Sequence, residues 1–392
     1  MIRYLVSGEL FYLQWRHFGS SRRLSCNVSN GTDHEQDLSR ETVPIKQVCK
    51  LLLDHFDKQY SEELGPIWPS ARSVLLNPGC WQYGVILNRF AHVSDLKQRL
   101  QGETQPNTIS PPPYFVDDSL RQLNSGSHPL PPPSLQCFIH PTAVRFPSPP
   151  HRQGQLKSYY LLNAASLLPV LALGVQNGDR VLDLCSAPGG KALAILQTAY
   201  PALLCCNEVD PHRRDWLAKT LESFIPQSLS STITVSNHDG RIFGQREAGM
   251  YDKVLVDAPC SNDRSWLFSS GGEQQGCLRL KERARLPILQ TELLRSALAA
   301  VRPGGVVVYS TCTLSRSENQ EVVKAVLNSC PGVEIDDLEE ELGLQLQQHF
   351  RFAPPCPNHA LLGHTPSCGL LVVPHPGQTW GPMFLSRIRR TH

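Results

Sequence analysis

The run Val181-Leu182-Asp183-Leu184-Cys185-Ser186-Ala187-Pro188-Gly189-Gly190-Lys191 constrains this chain more than any other stretch. A short apolar segment stops at an acid, passes a Pro-Gly-Gly turn and continues through Ala192–Gln197 at helical spacing. The pattern predicts a strand, a tight turn and a helix, with paired glycines where backbone must approach a bound group closely. Unpaired N–H groups in the first turn of that helix would face a polar or anionic part of the ligand.

Downstream the pattern repeats. Strands are expected at Ala202–Asn207, Ile233–Ser236, Lys253–Val256 and Val306–Tyr309, and helices at Pro211–Ile225 and Leu286–Val301. Ser315-x-x-Glu318 reads as a capping box opening a further helix, and Gly369–Val373 with Met383–Ile388 as a closing hairpin. Apolar strands alternating with helices imply an α/β fold with a mostly parallel, doubly wound sheet, whose ligand sits outside the carboxyl ends of the strands. The chemistry-bearing residues fall there one after another: Asp183 to Lys191, Glu208, Asp239, Asp257 with Cys260, and Cys312.

Upstream, helices are expected from Ile45 to Tyr60, over Trp68–Leu76 and over Cys80–Phe90, giving a small helical region at 40–105. Prolines crowd between Pro106 and Pro150, which predicts an irregular linker with one short strand at Gln136–Ile139. The catalytic domain is then 151–392, entered by an apolar helix at Tyr159–Leu173. Met1–Cys26 carries Arg3, Arg16, Arg22 and Arg23 against the single acid Glu9, the composition of a mitochondrial transit peptide, so 1–39 is read as that segment and the expected address is the mitochondrial matrix.

A net charge of +2 over 392 residues excludes a global field for a polyanion, so any nucleic-acid surface must be local. Thirteen cysteines without a Cys-x-x-Cys pair predict reduced thiols and no metal site. The apolar stretch Leu161–Val175 is interrupted by Asn163 and Pro169 and is too short to span a bilayer, and no membrane partner is expected.

Glu208 follows the glycine turn by about 20 residues, the position of an acid that bonds ribose hydroxyls. Because Gly-x-Gly-x-x-Gly is missing, a pyrophosphate-bearing dinucleotide is disfavoured and S-adenosylmethionine is the expected cofactor. Asp239 is assigned to adenine. Arg213 is assigned to the ligand as well, since a cation is electrostatically misplaced in a helix's first turn.

Cys260 and Cys312 fall at the tips of two different strands beside this methyl donor. Carbon 5 of a pyrimidine becomes nucleophilic once a thiolate adds at carbon 6, which is covalent catalysis by an activated cysteine. Methylation of an exocyclic amine needs no thiol and features Asp/Asn-Pro-Pro-Tyr/Phe where this chain has Asp257-Ala258-Pro259-Cys260. Spacing leaves open which cysteine attacks. The run Arg279, Lys281, Arg283 and Arg285 is expected to bind phosphate, with Trp266, Phe268 and Tyr309 as candidate stacking partners for a base.

Cys185 to Lys191, Asp257-Ala258-Pro259-Cys260 and Ser310-Thr311-Cys312-Thr313 resemble the signature motifs of the Nol/Nop/Sun family of RNA 5-methylcytosine methyltransferases, from about Leu156 onward. Ser186 departs from the usual alanine. The resemblance implies a Rossmann-like class I S-adenosylmethionine-dependent methyltransferase with Cys312 as nucleophile and Cys260 assisting product release. It implies cofactor contacts from Cys185, Ser186, Ala187, Pro188, Gly189, Gly190, Lys191, Glu208, Arg213, Asp239 and Asp257, with Asp257 also touching the cytosine and Lys191 helping to orient it. Cys80–Phe90, Tyr159–Leu173, Lys253–Ser270 and Trp380–Arg390 resemble the family's mitochondrial tRNA branch. That implies the wobble cytosine in the anticodon loop of mitochondrial tRNA-Met as target, with mitochondrial ribosomal RNA, or a non-catalytic role in RNA-binding assembly, as alternatives. No protein partner is evident.

Overall fold

The computed structural model describes residues 47–94, 152–269, 272–354 and 368–392, with shorter stretches at 3–5, 96, 113–114 and between 133 and 150. Apart from the strand Arg3–Leu5, the segment read as a transit peptide lies outside the described residues, and so does most of the proline-rich linker.

Among the described residues the central sheet runs Arg3–Leu5, Ile233–Ser236, Leu203–Asn207, Arg180–Asp183, Tyr251–Asp257, Val301–Thr311, Met383–Arg390, Val333–Asp336. Every pairing up to Val301–Thr311 is parallel, and Met383–Arg390 then runs antiparallel to it. Leu370–Val372 shares the far edge of Met383–Arg390 with Val333–Asp336, so the expected hairpin is present. Val254–Val256 and Val306–Tyr309 are buried throughout, the near-continuous apolar pattern of parallel strands covered on both faces.

One face packs against the helices Leu168–Leu173, Gly190–Thr198 and Pro211–Phe224. The other packs against Leu286–Ala300 and Gln320–Ser329 together with the upstream helices Lys50–Leu64 and Trp68–Leu75. The strand order reverses between Arg180–Asp183 and Tyr251–Asp257, which opens the crevice where ligands of such sheets bind.

Three local expectations need correction. Within Cys80–Phe90 the regular element is the buried strand Gly84–Leu87, which pairs antiparallel with Cys137–Ile139 and Tyr159–Leu162. Four consecutive apolar residues carry no period, and sheet partners decided their conformation. Tyr159–Leu173 is likewise no single helix: a strand ends at Leu162, Asn163 accepts a hydrogen bond from Ala165 N at 3.1 Å, and a 3-10 turn leads into Leu168–Leu173. Asn163 is a cap, and caps interrupt. The capping box at Ser315 does not form, because the helix begins at Gln320 and the Glu318 carboxylate turns inward to Ser261. The short strand expected in the linker is present at Cys137–Ile139, so this small sheet draws strands from both sides of residue 151.

Candidate active site

The tips of the central strands converge on a cavity of about 220 Å³ lined by Tyr160, Ser166, Asp183, Ser186, Lys191 and Asp257, among others. Gly189 adopts φ +105°, a left-handed conformation that favours glycine, and starts the helix Gly190–Thr198. A Cβ on Gly190 would sit 2.9 Å from a ring carbon of Tyr160, so the turn also needs a bare residue there. Pro188 lines the cavity with them, and Cys185 beside it has its thiol pushed well up by burial.

Asp183, 1% exposed, accepts a 2.7 Å hydrogen bond from Ser186 on Oδ2, while its buried Oδ1 has no hydrogen-bond partner. Burial pushes this carboxyl up to about 7 against the Ser186 bond. Lys191 reaches across to Asp257 at 2.7 Å, and Ser310 donates to the other Asp257 oxygen at 2.9 Å. Burial works against the Lys191 charge, but Asp257 outweighs it and the ammonium is held above its ordinary range.

Glu208 is 2% exposed at the next strand tip. Arg213 approaches its Oε2 at 3.3 Å without hydrogen-bond geometry, and donates to the Ala187 carbonyl at 3.0 Å. Arg213 thus joins Glu208 to the glycine turn. Asp239 is less available: it caps its own 3-10 turn and its carboxylate is gripped by Arg241 at 2.6 Å.

Cys260 and Cys312 stand at adjacent strand tips with their sulfurs 3.2 Å apart, and Cys312 N donates to Cys260 Sγ at 3.3 Å. The bond to Cys312, together with burial, holds the Cys260 thiol well above the usual range. Cys260 therefore keeps its proton as a donor. Cys312 is the more exposed of the two.

Behind the thiols lies a buried network that the sequence did not disclose. Asp263, fully buried, accepts from Tyr60 Oη at 3.0 Å, Thr313 Oγ1 at 3.0 Å and Leu314 N at 2.7 Å. Arg283 donates to Tyr60 Oη at 2.7 Å and Ser261 Oγ at 2.9 Å, and lies 3.5 Å from Asp263. Glu318 accepts from Ser261 N and Oγ at 2.9 and 2.6 Å and from Gln290 at 3.0 Å, while Gln290 also donates to the Pro259 carbonyl. Ser261 and Thr313 each follow a cysteine directly, so the network fixes one cysteine loop against the other. Asn207 makes a similar staple at the cofactor end, bonding Leu184 O, His238 O and His238 N. A polar residue closing the apolar strand Leu203–Asn207 was its available signal.

The basic run does not form one solvated patch. Spacing of four residues puts Arg279 and Arg283 on one helical face, where Arg279 donates to the Trp266 carbonyl and Arg283 enters the network. Lys281 and Arg285 remain exposed. Trp266 and Tyr309 are buried, Tyr309 donating to the Glu318 carbonyl, which removes both as stacking surfaces and leaves Phe268 half-buried. Among the described residues no cluster suits a metal ion, and no helix is long and apolar enough to cross a membrane.

Residues 170–361 match a family described as 16S rRNA methyltransferase RsmB/F. The chain is 54% identical over 371 residues to the mitochondrial tRNA (cytosine(34)-C(5))-methyltransferase of Danio rerio, covering 94% of this chain and 95% of that one. It is 47% identical over 345 residues to the protein of the same name from Mus musculus, covering 88% and 92%. A solved methyltransferase homologue from Pyrococcus horikoshii, 21% identical, shares the fold with a TM-score of 0.55 over 87% of this chain and 98% of that one.

Proposed function

This chain belongs to the Nol/Nop/Sun family of RNA cytosine-C5 methyltransferases, and we propose that its substrate is the wobble cytosine of a mitochondrial tRNA and its methyl donor S-adenosylmethionine. The observation that carries the reaction is the pair of sulfurs 3.2 Å apart beside the Lys191–Asp257 pair. S-adenosylmethionine suits the donor set of the crevice. Glu208 Oε2 and Asp183 Oδ1 are buried oxygens without hydrogen-bond partners, and such atoms are satisfied by ribose hydroxyls and by a cationic ligand. When bound, the cofactor supplies an electrophilic methyl group. Glu208, Arg213 and the 185–191 turn would hold it, with Asp239 at its edge.

On the protein side, the Cys312 thiolate forms a bond to carbon 6 of the cytosine and the displaced electron pair moves to carbon 5. After carbon 5 gains the methyl it loses its proton to a base, and the Sγ–C6 bond breaks to restore the ring. Cys260, which retains its proton, assists that release. Asp257, braced by Lys191 and Ser310, faces the polar edge of the base. The ring must be unstacked for this attack, and an anticodon loop presents it so without opening a duplex.

Incubating the protein with S-adenosylmethionine and a mitochondrial tRNA-Met anticodon stem-loop should place 5-methylcytosine at the wobble position alone, read by bisulfite sequencing. Methylation of a mitochondrial ribosomal RNA fragment instead of the stem-loop would overturn the substrate assignment.

Asp183 gives the site a pH signature. An unfolded Asp titrates near its ordinary value, so between about pH 4 and 7 the folded chain holds a proton that the unfolded chain has lost. Its contribution to stability is therefore full below the unfolded pKa and lost as pH rises through about 7. A cationic ligand favours the carboxylate, so cofactor affinity should rise from pH 6 to 8. In Asp183→Asn the ligand-free protein should gain roughly 1–3 kcal/mol at pH 8, while calorimetry finds weaker binding with no rise across that range.

A further inference from the structure

Two thiols in contact can do more than attack a base. The Cys260 and Cys312 sulfurs are 3.2 Å apart, so they need to close by only about 1 Å to reach the bonded distance of about 2.05 Å. They follow neighbouring parallel strands in which Asp257 is the register partner of Ser310. Cys312 N already donates to Cys260 Sγ at 3.3 Å. The residues after the cysteines hold the loops together, since Ser261 Oγ lies 3.0 Å from Thr313 Oγ1, which donates to Asp263 at 3.0 Å. Cys260 is buried, while Cys312 is partly open to solvent. An accessible sulfur that meets an oxidant beside a sheltered one that resolves it is the arrangement of a redox-sensing pair.

We propose that Cys260 and Cys312 close into a reversible disulfide when the RNA-free enzyme meets a hydroperoxide, shutting the active site until a thiol reductant reopens it. In the first step the Cys312 sulfur attacks a peroxide oxygen, the O–O bond breaks, and water or an alcohol leaves with the thiol proton. Cys312 is then a sulfenic acid. In the second step the Cys260 sulfur attacks the Cys312 sulfur, the S–O bond breaks, and water departs with the Cys260 proton. The two thiols give up two electrons, and the peroxide is reduced by two. The hydrogen bond that most holds the Cys260 proton is the one to the Cys312 thiol, and that partner is gone once Cys312 is oxidised. The link also spares Cys312 the irreversible sulfinic state. The disulfide rests on geometry alone; its effect on turnover rests on the proposed use of Cys312 as nucleophile.

The test uses the full chain without RNA or cofactor, treated with hydrogen peroxide, blocked with iodoacetamide and digested without reductant. Mass spectrometry should find a cross-linked peptide joining Cys260 to Cys312 while the exposed Cys277 is still alkylated. Dithiothreitol should dissolve the link and return Cys312 labelling and methyl transfer to within about twofold of the untreated protein. In Cys260→Ser, read by mass alone, Cys312 should go on to a sulfinic acid that dithiothreitol does not reverse. Cys260→Ala takes its place if thermal melting shows the serine variant unfolded. No cross-link in the parent, a link from Cys312 to another cysteine, or a link formed only after Cys277 is oxidised would each overturn the disulfide. A link that forms without loss of methyl transfer would overturn the shut-off, and with it Cys312 as nucleophile.

Discussion

Replacing Cys312 by alanine should abolish methyl transfer, by at least about 10⁴-fold, the scale on which enzymes lose activity with their nucleophile. Carbon 5 of cytosine gains its electron density from the bond that a thiolate forms at carbon 6, and alanine cannot form that bond. Cys260→Ala behaves differently. Bond formation at carbon 6 should continue while release fails, so that an RNA–protein adduct accumulates and survives denaturing electrophoresis. The contrast follows from the asymmetry of the pair: Cys260 is the buried sulfur that keeps its proton, and Cys312 is the more accessible one. Retained activity in Cys312→Ala, together with loss of activity in Cys260→Ala without an adduct, would exchange the two roles. Neither substitution removes a member of the network behind the loops, so both proteins should melt close to the parent.

Asp263→Ala has the largest expected effect on stability. It strips Tyr60 Oη, Thr313 Oγ1, Leu314 N and Ser261 Oγ of an acceptor and leaves Arg283 buried beside an empty position. Breaking a buried ion pair from one side costs about 3–5 kcal/mol, measurable by denaturant unfolding. Turnover should fall further than folding alone accounts for, because Thr313 and Ser261 no longer fix their cysteines at contact distance. Asp263→Asn, which keeps one acceptor oxygen, should recover part of both losses. An alanine variant with unchanged stability and turnover would mean that the network is incidental to the thiols.

The parallel sheet was legible because its strands are apolar throughout and end in acids or cysteines, so alternation and tip residues agreed. The thiol pair was legible for the same reason: Asp257 and Ser310 are register partners, and the cysteines follow each at short distance. Where the reading failed, composition was ambiguous. Gly84–Leu87 has no period to tell strand from helix, and the two strands it pairs with lie fifty or more positions away. Glu318 matched a capping pattern, but Ser261 and Gln290 offered it buried donors that a helix start could not match. Arg279 and Arg283 carried the same charge as Lys281 and Arg285, and only packing separated inward from outward. A buried guanidinium and an exposed one are identical in a string of letters.

The bond from Tyr60 to Asp263 bears on how this protein can be cut or inherited. A fragment starting at residue 151 would retain every motif yet lose the phenol and the Gln59 amide that hold Arg283. It would also bare the strand Tyr159–Leu162 along the edge now covered by Gly84–Leu87. The amino-terminal helices are thus a keystone of the reaction centre, and a chimera that exchanges them with a relative must carry the matching 260–283 segment with them.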